Sequence, residues 1–94
     1  MDKPKEDKMM LKLYRNTGES IRIYNELTQQ ERIIKLVSHN HPTCVLQIDG
    51  EMQIKKIPEQ VEIDVDDCSI NILSIDRGVN FGIIAPSHVR LNRV

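Results

Sequence analysis

The sequence of 94 residues has few aromatic residues and few cysteines, and it contains no long apolar run. Trp is absent and the aromatic residues are Tyr14, Tyr24 and Phe81, which are too few to build the stacking platforms used by many single-strand binding proteins. Two cysteines, Cys44 and Cys68, cannot form a disulfide scaffold and favour a reducing compartment. Because no segment has the length of a membrane span or the apolar core of a signal peptide, we expect a cytoplasmic protein that does not enter the membrane.

The charges are nearly balanced over the whole chain but unevenly distributed along it. Lys and Arg number 13 and Asp and Glu number 14, a net charge of −1. The segment 25–68 carries 4 basic and 9 acidic residues, whereas the remainder carries 9 basic and 5 acidic residues. The sequence therefore predicts a basic surface outside the middle segment. The acidic middle segment would repel a polyanion that bound near it, and elsewhere it could recruit a protein partner.

Alternation of apolar and polar residues predicts a protein made mainly of β-strands. Residues 1–8 are almost all charged, and we expect a mobile tail there, followed by one domain over 9–94. Alternating residues on both sides of Asn16-Thr17-Gly18 predict a β-hairpin over 11–24. Asp49-Gly50, between two further β-like runs, predicts a second hairpin.

The remaining segments predict one helix and several more strands. Thr28 and Glu31 have the spacing of a capping box, and the apolar residues after them predict a helix near 28–38. Val61, Ile63 and Val65 alternate with acidic residues and predict a strand with one acidic face. Later alternating runs predict strands over 70–75, 79–83 and 89–92, with a turn at 76–78.

Two separated stretches carry motifs of one known family. Residues 10–23, Met-Leu-Lys-Leu-Tyr-Arg-Asn-Thr-Gly-Glu-Ser-Ile-Arg-Ile, are similar to Met-Leu-x-Leu-x-Arg-Arg-x-Gly-Glu, the amino-terminal signature of the carbon storage regulator family of RNA-binding proteins. Residues 70–93 contain a second part of the pattern, Gly-Ile-x-Ala-Pro-x-x-Val-x-Leu-x-Arg, from Gly82 to Arg93. Together the two stretches cover about 40 of the 94 residues, in the family's order.

The sequence departs from the family pattern at three places. An insertion at about 25–68 stands where the family has a few residues between its second and third strands. Asn16 replaces the second Arg of the usual Arg-Arg pair. No counterpart of the family's carboxy-terminal helix follows Arg93.

The resemblance implies a fold and an activity. The implied fold is mainly β, an interleaved homodimer in which the first and last strands of one protomer pair with the middle strands of the other. The insertion would add a helix and extra hairpin strands. The implied activity is binding of single-stranded GGA elements in messenger RNA, in hairpin loops near ribosome-binding sites, which represses translation or alters mRNA stability. The RNA-binding residues implied by the resemblance are Leu13, Arg15, Ala85, Pro86, Val89, Leu91 and Arg93.

Other functions remain open at the level of the sequence. Asn16 and the acidic insertion are also consistent with a protein-binding antagonist, or with a variant subunit that heterodimerises with a standard family member. A scaffold without RNA affinity is a third hypothesis. No nucleophile or carboxylate pair stands in a catalytic pattern, so we do not expect an enzyme.

A metal or cofactor site is not expected from the pattern of potential ligands. His39, His41, Cys44 and Cys68 have a spacing that could hold zinc, but the paired Cys-x-x-Cys elements typical of closed zinc sites are missing. The acidic face at Glu62 lacks the glycine and spacing of a calcium-binding loop. We therefore predict that the protein binds RNA without a cofactor.

Overall fold

The computed structural model describes residues 9–94, which form nine β-strands in two antiparallel sheets. The mainly β character expected from the alternating pattern is confirmed. The predicted tail at 1–8 lies outside the described residues. The strands are β1 (Met9–Arg15), β2 (Ser20–Asn25), β3 (Glu31–Asn40), β4 (Thr43–Ile48), β5 (Glu51–Lys56), β6 (Gln60–Val61), β7 (Ser69–Ile75), β8 (Val79–Ala85) and β9 (Val89–Arg93).

The two sheets differ in size and share one hydrophobic core. The small sheet has the order β1-β8-β7-β6, and the large sheet has the order β5-β4-β3-β2-β9. Every second residue of the central strands is buried, as in β2, where Ile21 and Ile23 are fully buried between half-buried neighbours. These side chains join Phe81 and Ile83 of the small sheet in a single apolar cluster. Because one face of each sheet is buried, the period-two pattern fixes which face of each strand points inward.

The predicted hairpin over 11–24 is wrong, although its turn is correctly placed. Glu19 N–H donates to Asn16 C=O at 2.9 Å, and Gly18 has a φ of 94°, as a type II turn requires at its third position. The turn, however, carries the chain from one sheet to the other, and β1 pairs with β8 instead of β2. A turn motif specifies the local backbone but not the partner of the strand that precedes it.

Two glycines of the β7–β8 region let β1 approach closely. A Cβ at Gly82 would lie 2.6 Å from Met10 Cε, and one at Gly78 would lie 2.6 Å from Tyr14 Cζ. The small size of these residues therefore permits the packing of β1 side chains over the outer face of the small sheet.

The predicted helix near 28–38 is wrong, because this segment is the long strand β3 and no helix occurs within residues 9–94. Ile34 and Leu36 are buried and alternate with exposed Ile33 and Lys35, which is the period of a strand. The β-branched residues favour this conformation. Strands β2 and β4 pair with β3 on its two sides, so tertiary pairing overrides the capping-box signal. Thr28 lies in the turn before β3 and donates its hydroxyl to Gln30 Oε1 at 2.8 Å.

Four later predictions are confirmed and one is only partly correct. Asp49 and Gly50, with φ of 53° and 80°, form the tight turn between β4 and β5, in agreement with the type I′ geometry expected of Asp-Gly. The strands β7, β8 and β9 occur where alternation placed them. The acidic strand expected over 61–65 is reduced to β6, because the backbone leaves the sheet after Val61.

The insertion at 25–68 is part of the body of the fold. It supplies β3, β4 and β5 of the large sheet and β6 of the small sheet. Asn25, at its start, is completely buried and donates to Asp66 C=O at 2.8 Å, while its side-chain oxygen accepts from Leu27 and Thr28 N–H. The side chain of Asn25 thus ties together the two ends of the insertion.

The first and last strands pair within the same chain. Strand β1 pairs with β8, and β9 pairs with β2. The resemblance implied pairing of the first and last strands with the middle strands of another protomer.

The described part of the chain has no helix that is long and apolar enough to span a bilayer.

Candidate nucleic-acid interface

The predicted RNA-binding arginines come together at one end of edge strand β9. Arg93 lies opposite Ile21 in the β2–β9 ladder, and the next residues, Ser20 and Val94, exchange two backbone hydrogen bonds of 2.9 and 3.1 Å. Arg15 Nη1 donates to Ser20 C=O at 3.3 Å. The two arginines, 78 positions apart in the sequence, therefore both lie beside the start of β2.

The guanidinium of Arg15 is largely occupied by contacts within the turn region. Its Nε donates to Tyr14 C=O at 2.9 Å, and its Nη2 lies 3.6 Å from Glu19 Oε1. The side chain is only 12% exposed. Arg15 consequently fixes the end of β1 against β2 and has little surface left for a ligand.

Arg93, by contrast, is exposed, and within residues 9–94 its side chain makes no hydrogen bond or ion pair. It lies on the outermost strand of the large sheet, whose other backbone edge has no partner strand in the described part of the chain. A free guanidinium beside unpaired backbone groups can meet a phosphate or a base edge bidentately.

The apolar residues assigned to the site belong mainly to the core. Leu13, Val89 and Ala85 are 2%, 6% and 8% exposed, and Pro86 is also buried. Leu91 is half-buried and is the one member of this set whose side chain offers apolar surface at the edge. The others support the strand and loop that carry the exposed groups.

The loop after Ala85 is tied down by backbone hydrogen bonds. Val89 N–H donates to Pro86 C=O at 3.1 Å, and Glu26 N–H donates to His88 C=O at 2.8 Å. A carbonyl has two lone pairs, so each can still accept a second hydrogen bond from a ligand. The loop is thus a rigid part of the edge.

An arginine and a histidine near the start of β9 contact carboxylates of the insertion. Arg90 Nε lies 2.9 Å from Glu26 Oε2, and His88 Nε2 lies 3.0 Å from Asp67 Oδ2. The sequence analysis did not identify these four residues. The opposite net charges of the insertion and of the rest of the chain were the signal that could have found them.

A basic and aromatic row lies on the outer face of the large sheet, beside β9. The Arg22 guanidinium is 5.3 Å from the centre of the Tyr24 ring and 2.8 Å from Glu31 Oε1. The hydrogen bond from Arg22 lowers the pKa of Glu31 below its usual value. Glu31 is therefore ionised at neutral pH and neutralises Arg22, so this pair adds little net charge to the face.

The potential zinc ligands do not form a cluster. Within the described residues no three His, Cys, Asp or Glu side chains are close enough to hold a metal ion. Cys44 and Cys68 are free thiols, and burial raises the pKa of each to about 11. Neither thiol is a reactive nucleophile near neutral pH.

Searches against family models, curated proteins and solved structures found no match for this chain.

Proposed function

We propose that this protein binds single-stranded GGA elements in RNA and regulates translation or mRNA stability. The observation that carries the proposal is Arg93 on edge strand β9, which is exposed and has no ion-pair partner among residues 9–94, next to the Arg15 end of β1. The motifs that resemble the carbon storage regulator family contribute both of these strands.

The backbone N–H and C=O groups on the outer edge of β9 are suited to hydrogen bonding with unstacked RNA bases. Sequence-specific RNA readers hydrogen-bond the edges of loop bases, and an edge strand offers a row of free N–H and C=O groups. This mode does not require aromatic stacking, in agreement with the three aromatic residues of the chain. Arg93 would contact a phosphate or a guanine beside that row.

Replacement of Arg93 tests the proposal, with Arg90 as the matched control on the same strand. Arg93→Ala should weaken binding of a GGA hairpin about tenfold or more, since one arginine contact to a base or phosphate contributes about 1–3 kcal/mol. Arg90→Ala should change the affinity less than about twofold, because Arg90 is already paired with Glu26. Gel-shift titration at physiological salt gives both values.

The same titration contains the result that would contradict the proposal. A purified wild-type protein that fails to retain the GGA hairpin, or binds it no better than a hairpin with a scrambled loop, does not have this function. Unchanged binding of the GGA hairpin by Arg93→Ala would remove Arg93 from the site.

We also propose that the protein self-associates by exchanging its end strands. The ladders β1–β8 and β2–β9 are formed within one chain, and identical ladders between two copies would leave every strand with the same partner. The mass in solution, measured by light scattering, should then be twice 10.9 kDa. A mass of one chain at all concentrations would exclude the exchanged form.

A variant subunit that binds a standard family member is the second candidate. Strand β1 lies at the edge of the small sheet, and Met9, Met10 and Leu11 on it are 73%, 49% and 44% exposed. Such an edge can pair with a strand of another chain. Native mass spectrometry of a mixture would reveal a heterodimer, and two unmixed species would exclude this candidate.

A further inference from the structure

The outer face of the large sheet contains a groove in which, among residues 9–94, one positive charge has no ion-pair partner. The groove has a volume of about 490 Å³ and is lined by Ser20, Glu31, Arg32, Ile33, Lys35, Gln47, Asp49 and Gly50. In the strand registers Lys35 lies opposite Ser20 on one side and opposite Gln47 on the other. Side chains of directly opposed residues lie on the same face, so an ammonium, a hydroxyl and an amide form one row across three strands.

The acidic residues of this groove are already neutralised. Glu31 Oε1 lies 2.8 Å from Arg22 Nη2, and Asp49 Oδ2 lies 2.9 Å from Arg32 Nε. Lys35 is exposed and forms no ion pair within the part of the chain that the structure describes. The net charge offered to a ligand here is therefore the single positive charge of Lys35.

The acidic surplus of the insertion lies on the other side of Arg32. A second groove, of about 330 Å³, is lined by Glu51, Glu62 and Asp64 together with Asp49 and Arg32. Arg32 also lies 3.5 Å from Asp64, so it separates the two grooves. This second groove lies towards the core-facing side of the large sheet, because Arg32 is opposite the buried Ile23 and Glu51 is opposite the buried Ile48. The acidic surplus therefore lies away from the face that contains Lys35.

The Lys35 groove adjoins the backbone of edge strand β9 but lies on the other face of the sheet from the Arg93 side chain, because Arg93 is opposite the buried Ile21. Ser20 lines the groove, and its backbone is hydrogen-bonded to Val94, the residue after Arg93. Neighbouring strands lie about 4.8 Å apart, so the row of Val94, Ser20 and Lys35 spans two strand spacings, or about 10 Å. This is within the reach of one or two nucleotides of a single strand.

We propose that the insertion adds a backbone-binding track, in which Lys35 contacts a phosphate of the single-stranded RNA that leaves the GGA-binding edge. The inference rests on the proposed function, since the edge is where that RNA begins. Ser20 and Gln47 would donate hydrogen bonds to the same sugar–phosphate segment. The contact is independent of sequence, because phosphates are identical along the chain.

Titration with two forms of one RNA tests this track. The first RNA is a GGA hairpin without overhangs, and the second is the same hairpin with a single-stranded tail of about eight nucleotides, prepared at either the 5′ or the 3′ end. One tail should strengthen wild-type binding about fivefold at 0.1 M salt, and it should steepen the slope of log affinity against log salt by about 0.7 for one phosphate contact.

Lys35→Ala should remove the gain from the tail and leave binding of the bare hairpin unchanged. Lys56→Ala is the matched control, because Lys56 is also an exposed lysine of the large sheet but lies on edge strand β5, outside the groove. This control should keep the full gain. Circular dichroism should show the same folded signal for both variants, since both residues are exposed.

The outcomes separate the two proposals. Wild-type protein that binds the bare hairpin but gains nothing from either tail would overturn the track and leave the proposed function intact. Equal loss in Lys35→Ala and Lys56→Ala would also overturn it, because a general charge effect would then explain the gain. Failure to bind the bare hairpin would overturn the proposed function and the track together.

Discussion

The two ends of strand β9 have similar side chains but different electrostatic surroundings. At the carboxyl end Arg93 is exposed and, among the described residues, unpaired. At the amino end His88 and Arg90 lie within 3.0 Å of Asp67 and Glu26. Both carboxylates belong to the insertion, and Glu26 neutralises Arg90 at this end, whereas the other end of the edge stays positive.

The comparison shows how an acidic insertion can coexist with a site for a polyanion. The insertion carries nine acidic residues, and most of them are paired with cations of the chain or grouped at the second groove. Surface potential depends on the charges that remain unpaired near the ligand. The net charge of a segment therefore does not give the sign of the electrostatic potential at a neighbouring surface.

The buried side chain of Asn25 holds the insertion at the amino end of β9, where Glu26 neutralises Arg90. Removal of this side chain should abolish the difference between the two ends of β9. Asn25→Ala deletes three hydrogen bonds. It leaves the C=O of Asp66 and the N–H groups of Leu27 and Thr28 without these partners. The free energy of unfolding should fall by about 3 kcal/mol, as measured by urea denaturation. Asn92→Ala, at an exposed position of β9, should cost less than about 0.5 kcal/mol. Equal stability of the two variants would show that Asn25 does not hold the insertion.

The reactivity of Cys68 should show whether the segment around Asp67 and Cys68 stays packed at the amino end of β9. Cys68 follows Asp67, and burial raises the pKa of its thiol from 9.0 to about 11. At pH 8 the thiolate fraction, and with it the rate of alkylation by iodoacetamide, should be about a hundredfold lower than for an unshifted thiol. Cys44→Ala protein gives the rate of Cys68 alone. A rate equal to that of a model peptide would mean that this end opens freely.

The same shift predicts a dependence of stability on pH. The folded state favours the neutral thiol, so the contribution of Cys68 is fully present below pH 9 and is lost as the pH rises towards about 11. Cys68→Ala should therefore lose less stability than wild type over this interval. An identical decline in both proteins would contradict the burial of this thiol.

Local signals in the sequence predicted local structure well. Asp49-Gly50 specifies a turn with two positive φ values, and few other residue pairs adopt that backbone easily. The start of β7 and the start of β8 alternate, and the alternation of β7 is interrupted by an irregularity after Ile72. The segment of β3 contains Ile33, Ile34 and Leu36, which fit either period, and only its two neighbouring strands select between them.

Long-range pairing could not be read from the sequence. The turn at Gly18 is evident, yet the partner of β1 is β8, more than 60 residues away. The contacts Glu26–Arg90 and Asp67–His88 join positions 64 and 21 residues apart, and no motif marks them. The candidate site was predicted where a family pattern supplied residues such as Arg93, while its electrostatic surroundings depend on packing that the pattern does not encode.

Removal of the Glu26 carboxylate should make the two ends of β9 alike in charge, because each end would then have an unpaired arginine among the described residues. Glu26→Gln keeps the shape of the side chain and frees the Arg90 guanidinium, which is otherwise 2.9 Å from the carboxylate. RNA affinity should rise by up to about fivefold at 0.1 M salt, as expected for one additional phosphate contact. Stability should change by less than about 0.5 kcal/mol, because the pair is exposed to solvent.

The double variant Glu26→Gln, Arg90→Ala isolates the cause of that gain. If the freed guanidinium binds RNA, the double variant should return to the wild-type affinity, because the added cation is gone. If the gain persists without Arg90, it comes from the general loss of negative charge, and the pairing of Glu26 with Arg90 does not control the edge. A gain that vanishes with Arg90 and grows as the salt concentration falls would assign it to that one contact, since counterion release scales with the number of phosphates neutralised.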